Sequence, residues 1–409
     1  MTLETAPRAL EGLRVLDLAG PMGVYCGRLL ADLGADVIRV EPPGGSTTRW
    51  IGPFYQDEPA LEHSLFDWHF NANKRGVTLD IAHPDGRALL LRMAASADVL
   101  IETMPPGRME QLRLGYEALR GANSGLVYAS ITLCGQTGPF RDHLGEELVG
   151  QALGGLLWLC GWPDRPPVMM GAWPGMHQAS AEAAAGILVA LEHRDLTGEG
   201  QQVDTSIQAS LPLSYMHNAA ECHTTGRQLG RSGDYHPGPL NGLFRCKDGY
   251  ADFRFRARPG RWERIVGWLD QHGMAEDLTD ERWRSTPYRR VPENQAHVEQ
   301  VFQRFIVNFT REEAMEIGQR TGIEVGAVYT ARDVVCDPQL QARGYFVELN
   351  HAALGRSFTY PGAPYTLSET PWQLRRPAPR LGEHNHAVFA DELGVSQEQL
   401  VSLRAAGVI

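Results

Sequence analysis

Side chains able to do chemistry are thinly spread along this sequence. In GEELVGQALGG (Gly145–Gly155), Glu147 stands four residues ahead of Gln151 in an apolar, helix-spaced stretch. An acid there serves either the N-terminus of a helix, through the dipole, or a site that needs a carboxylate; Glu146 beside it is the more solvated of the two. In PPVMMGAWPGMHQASAEAAAGILVALE (Pro166–Glu192), Met176 and His177 head a run of small residues. Trp158, Trp162, Met169, Met170 and Trp173 lie just before them, enough adaptable apolar surface to line a pocket for an aromatic or bulky acid, or to pack a core or an interface. His384 and His386 in LGEHNH form a pair without a third ligand nearby, so no metal is expected. Cysteines at 26, 134, 160, 222, 246 and 336 have no CxxC or ligand spacing, which fits reduced thiols without a zinc or redox role.

The rest of the chain bounds what those residues serve. Its 409 residues bury a large core in about one to three domains. With 43% hydrophobic and 21% charged residues it reads as a soluble globular protein. A net charge of −11 argues against nucleic acid as a partner, and the basic runs Lys74–Arg75 and Arg289–Arg290 are short. The longest apolar stretch, Leu153–Cys160, falls far below a membrane span, so no membrane partner is expected. MTLETAPRALEG lacks the charged-then-apolar plan of a secretory signal, and the expected location is cytoplasmic.

Periodicity supplies the elements that must position the candidates. Leu13–Leu18 and Asp36–Glu41 read as buried strands around a helix at Tyr25–Leu33, a β-α-β unit that starts a parallel α/β sheet. The intervening turn, AGPMGVYCG, lacks the G-x-G-x-x-G order that admits a pyrophosphate, which weakens any dehydrogenase reading. A helix near Pro84–Ala95, strands at Asp98–Ile101 and Leu126–Ile131, a helix over Met176–Glu192 and a strand at Gln201–Ile207 continue the pattern. Gly, His, Asp and Pro then cluster, which places a linker at 218–240 between a large domain (1–217) and a small one (241–330). The small domain opens on a hairpin at Leu243–Arg254 and continues in helices; residues 331–409 return to complete the large domain.

Blocks along almost the whole chain resemble the class III CoA-transferases, the CaiB/BaiF group. They include LEGLRVLDLAGP, LLADLGADVIRVEPPGG, NANKRGVTLDI, ADVLIE, LVYASITLCGQTGPF, TGEGQQVD, DPQLQARGYFVELNH, LGEHNH and LRAAGVI, in that order. The resemblance implies a Rossmann-like large domain with a parallel sheet, a smaller α+β domain and two chains threaded into an interlocked dimer. It also implies acyl transfer through an aspartyl anhydride and an aspartyl-CoA thioester, with coenzyme A thioester as substrate and no covalently bound cofactor.

Counting back from GILVAL, the family's nucleophilic aspartate falls on Met176, whose thioether cannot form an anhydride. His177 could be proposed as a substitute, but one helical position turns it by about 100° and an acyl-imidazole hydrolyses readily, so a packed or surface histidine is the favoured reading. Where the family commonly reads Asn-Phe-Arg-Pro-Gly, this chain has Thr103–Met104–Pro105–Pro106–Gly107, and Gln111 takes a usually basic position. Direct CoA binding is therefore doubtful, although Arg108 and Arg113 lie close enough to compensate. Glu147, Arg108, Lys74, Arg75 and Trp173 are the candidates for places beside substrate or CoA. The first reading is a non-catalytic, E-type subunit of a heteromeric enzyme of anaerobic toluene degradation, supporting a homologous subunit that keeps the aspartate. That reading implies succinyl-CoA as donor and (R)-2-benzylsuccinate as acceptor acid. The alternatives are a self-sufficient transferase with Glu147 as relocated nucleophile, an acyl-CoA racemase and a non-enzymatic partner protein. The racemase would need Gly-His-Asp where the chain has Gly145–Glu146–Glu147.

Overall fold

The computed structural model describes residues 7–233, 238–255 and 258–409. They fall into a larger unit, containing residues up to Trp158, Val168–Leu229 and Ala342–Ile409, and a smaller one of Leu159–Pro167 and Gly230–Gln341. In the larger unit LRVLDL and DVIRVE form β1 (Arg14–Leu18) and β2 (Asp36–Glu41), joined by α1 (Val24–Asp32). There follow α2 (Leu65–Asn71), β3 (Arg75–Thr78), α3 (Pro84–Ala94), β4 (Val99–Glu102), α4 (Arg108–Gln111) and α5 (Tyr116–Ala122). Then come β5 (Val127–Thr132), α6 (Glu147–Leu153), α7 (Leu156–Leu159), α8 (Pro174–Thr197) and β6 (Gln202–Ser206).

The six strands are parallel in the order β3-β2-β1-β4-β5-β6. This is the Rossmann order, with its reversal between β1 and β4. Successive side chains of a strand point to opposite faces. Val15, Val37, Val99 and Val127 accordingly join Leu30 of α1 and Ala183 and Ile187 of α8 in one core. Leu16, Ile38, Leu100 and Tyr128 join Leu89 and Leu90 of α3 and Leu119 of α5 in another. Burial on both faces is why these strands read as nearly continuous apolar runs.

The smaller unit carries an antiparallel sheet of β7 (Asn241–Cys246), β8 (Gly249–Arg254) and β9 (Glu324–Ala327), in that order. Helices Arg261–Gln271, Pro292–Ile306 and Arg311–Thr321 accompany it. Its own core holds Phe244, Phe253, Trp262, Trp268, Phe302 and Phe305. The fold is thus α/β with a parallel Rossmann-like sheet plus a smaller α+β unit. The chain's return forms the hairpin β10 (Phe346–His351) and β11 (Arg356–Pro361). It then sends Val388, Phe389, Leu400 and Val408 into the core under β1.

The expected linker differs at its start, because Met216–Thr225 is helical. Its Gly/Pro-rich character begins only at Gly226, which caps that helix at φ +70°. Residues 234–237 of the same segment lie outside the described residues. No helix among the described residues is long and apolar enough to cross a membrane.

Candidate functional site

The turn into α8 is sharp. Ala172 and Trp173 both take left-handed backbone (φ +64° and +55°), and Pro174 then sets a helical φ in the first turn. Met176 consequently points inward, 2% exposed, against Val24 and Phe70, with Tyr25, Phe66 and Trp173 at the margin. The Trp173 ring lies 5.1 Å from that of Phe66. A flexible, polarizable thioether fills such an aromatic gap well.

First-turn N–H groups of a helix have no partner within it. Glu147, the first residue of α6, provides one for α8: Oε1 accepts from Gly175 N–H at 2.8 Å and Oε2 from Met176 N–H at 2.9 Å. A Cβ on residue 175 would lie 3.0 Å from Glu147 Oε2 and from Ile207, a tight fit that glycine relieves. Gln151, one turn along α6 and buried, donates to Glu147 Oε1 at 2.8 Å. It also pairs with the Met170 backbone in both directions, at 2.9 and 3.0 Å. Glu147 and Gln151 together fasten the loop before α8, and the start of α8, to α6. His177 shares its Nδ1 with Trp173 O at 2.9 Å and packs on Tyr25, ring centroids 5.2 Å apart. It is a packing histidine.

At the carboxyl edge of the sheet, where ligands of such folds bind, the segment after β4 occupies part of the space. Thr103 Oγ1 accepts from Gly20 N–H at 2.8 Å, occupying a donor of the first βα turn, and Glu102 Oε2 accepts from Met104 N–H at 2.6 Å. A cleft of about 200 Å³ lies on one side, lined in part by Gly20, Glu41, Asp80, Met104 and Arg108. Another of about 210 Å³ lies on the other, beside Thr103, Pro106, Arg141 and His143. Both fall below the roughly 300–1,000 Å³ of pockets that enclose drug-sized ligands. Arg108 is exposed at this edge, its guanidinium 3.4 Å from the Gln111 amide oxygen.

Lys74 and Arg75, expected beside the substrate, are committed to ion pairs within the chain. Lys74, 0% exposed, directs Nζ at Asp17 Oδ2 (2.6 Å), Val24 O (2.9 Å) and Asn71 Oδ1 (3.0 Å). Burial pushes its ammonium pKa down against the pull of Asp17. Arg75 sits at the amino edge of the sheet, opposite the clefts, with a fork on Asp36 (2.8 and 2.6 Å) and a bond to Glu392. The structure therefore brings Glu147, Trp173 and Met176 together and leaves Arg108 and Arg75 at opposite edges.

The Trp/Met cluster is divided between buried and exposed positions. Trp173 and Met176 pack inward, whereas Trp158, Met169 and Met170 of the larger unit and Trp162 of the smaller are exposed. A buried ionic network went unread in the sequence. Arg39 pairs with Glu41 (2.9 Å) and Asp67 (2.7 Å), and Arg49 with Glu41 (2.7 Å). Burial raises the pKa of Asp67, but Arg39 and Arg49 outweigh it and hold the carboxyl below its usual range. The available signal was the alternation in DVIRVE, which sets Arg39 and Glu41 into an otherwise apolar strand. Among the described residues no group of three His, Cys, Asp or Glu side chains is placed to hold a metal ion.

A family model described as CoA-transferase family III matches residues 10–385. The chain belongs to CoA-transferase family III. It is 35% identical over 402 residues, 97% of each chain, to the succinyl-CoA:(R)-benzylsuccinate CoA-transferase subunit BbsE of Thauera aromatica. To the succinyl-CoA–D-citramalate CoA-transferase of Chloroflexus aurantiacus it is 34% identical, over 100% of both chains. The crystal structure of a CAIB/BAIF family protein from Brucella suis superposes with a TM-score of 0.85 at 29% identity, covering 94% of this chain and 99% of that one. Family III membership agrees with the resemblance carried by the sequence blocks and with the Rossmann order of the sheet.

Proposed function

We propose that this chain is the non-catalytic subunit of a heteromeric class III CoA-transferase that moves CoA from succinyl-CoA to an aromatic dicarboxylic acid, (R)-2-benzylsuccinate. The observation that carries the reading is the first turn of α8. Met176 fills an apolar, aromatic-lined space there, and the adjacent backbone donors are already taken by Glu147. No carboxylate is left free at that position to attack a thioester carbonyl. Similarity to a relative named as a subunit supports the heteromeric arrangement and the choice of acid.

In this scheme a homologous partner supplies the aspartate. Its carboxylate attacks succinyl-CoA to give a mixed anhydride and CoA thiolate; the thiolate then takes the aspartyl carbonyl, releasing succinate and leaving an aspartyl-CoA thioester. The acceptor carboxylate next displaces CoA into a second anhydride, which the returning thiolate opens to the new acyl-CoA. This chain contributes the braced α6–α8 framework, and the CoA thioester is a substrate of the complex with no resident cofactor. A cytoplasmic complex without membrane or nucleic-acid partners belongs to the same proposal.

Relocation of the nucleophile to Glu147 is the second reading, and the geometry weighs against it. Three N–H donors hold that carboxylate, so attack on a thioester would first have to break the cap on α8. The test is co-expression with the homologous subunit and assay of transfer from succinyl-CoA to benzylsuccinate, followed by borohydride trapping of acyl-enzyme intermediates. The proposal expects activity in the pair alone and a mass change on the partner only. Turnover by this chain by itself, lost in Glu147→Gln, would overturn it.

A further inference from the structure

LGEHNH finds no use in the α8 site, yet it forms one wall of a separate cleft of about 440 Å³. The cleft lies in the larger unit between the segment around Glu62–Trp68, the turn after β10 and residues 376–384. It shares no lining residue with the two clefts at the carboxyl edge of the sheet. Its volume is that of a pocket for a small organic ligand.

The polar groups of the cleft are unequally committed. Glu62 accepts from Arg49 NH1 at 2.9 Å and from Leu381 N–H at 3.0 Å, so both of its oxygens are engaged. Glu383 accepts from Arg380 N–H at 2.8 Å. The guanidiniums of Arg376 and Arg380, by contrast, are exposed and form no ion pair among the described residues. His384 Nδ1 accepts from Gly76 N–H at 3.1 Å, which leaves the Nε2–H of the neutral ring as a donor. Beside these donors stands an aromatic wall. Trp68 is held by its Nε1–H bond to Glu62 O (2.8 Å), and the His351 ring, itself bonded to the Tyr360 hydroxyl at 2.9 Å, lies 4.7 Å from it.

We propose that this cleft binds a small organic anion, a carboxylate or phosphate carried on a planar ring. Arg376 and Arg380 take the anionic oxygens, the His384 Nε2–H donates to the same group, and the ring lies along Trp68 and His351. Guanidinium forks suit two-oxygen anions, and an aromatic wall suits a flat, apolar-faced substituent.

Titration calorimetry on the full-length protein with AMP, benzoate and inorganic phosphate tests this. One site is expected for AMP or benzoate, and whichever binds more tightly decides between a phosphate and a carboxylate ligand. Arg376→Ala/Arg380→Ala, which alters only exposed side chains, should weaken binding by about tenfold or more, and added salt should weaken it too. Saturation-transfer NMR should place the ring protons of the ligand against protein. Absence of binding by both ring-bearing probes, or unchanged affinity in the double variant, would overturn the site. Inorganic phosphate binding as tightly as AMP would overturn the place given to the ring.

Discussion

Glu147 shows how a carboxylate in a catalytic-looking position becomes structural. Its two oxygens meet the N–H groups of Gly175 and Met176, where the partial positive end of α8 also favours an anion. Glu147→Ala should therefore destabilise the chain by about 1–2 kcal/mol, as loss of a helix cap does, with Glu147→Gln less harmful because an acceptor oxygen remains. Urea unfolding of the two variants checks the order. His69 gives the residue scale a pH dependence. Burial, aided by the nearby positive charge of Arg28, pushes its imidazole down to about 4. The unfolded chain takes up that proton near the ordinary value of about 6.5. Below it the unfolded state binds more protons than the folded one, so stability should fall as pH drops from about 6.5 to about 4, by up to about 3 kcal/mol, and level off beneath. Thermal melts across this range, with His69→Gln flattening the dependence, test the sign.

At the scale of elements, Lys74 is a tie rather than a ligand. It joins β1 through Asp17, the start of α1 through Val24 O and the end of α2 through Asn71. Gly27 makes this possible, since a Cβ there would collide with the Asp17 carboxylate. Lys74→Met should cost about 3–5 kcal/mol, because it strands a buried carboxylate, and Asp17→Asn in the same chain should recover part of the loss. Denaturant midpoints of the single and double variants measure the coupling. Equal losses that simply add would show the two groups to be independent. The same elements show what could be read in advance. β1, β2, β4 and β5 are legible because burial on both faces makes them apolar runs. β3 is short and begins with Arg75, and only its pairing with β2 makes it a strand.

For the whole molecule the informative element is α8. It is 24 residues long, with one side sunk in the core through Ala179, Ala183 and Ile187. Its other side carries Leu188, Val189 and Leu196 at 37%, 70% and 80% exposure. These apolar side chains stand exposed beside Glu182, Glu192 and His193, and their cover by the proposed partner subunit would remove them from water. Val189→Glu with Leu196→Glu should abolish co-purification with that subunit while leaving the circular dichroism and melting temperature of this chain nearly unchanged. Retention of the complex would place the interface elsewhere.

The sequence by itself determined the parallel α/β core, the family resemblance and the identity of Met176, because these follow from local periodicity and from residue types at matched positions. Tertiary structure alone decided what the polar residues do. Lys74 and Arg75 are adjacent in the chain, yet one closes an interior ion pair and the other forks onto Asp36 at the surface. Glu147 and Met176 lie 29 residues apart and meet through a single hydrogen bond. A polar side chain gains its role from the partner that desolvates and orients it, and that partner is brought to it by packing rather than by neighbourhood along the chain.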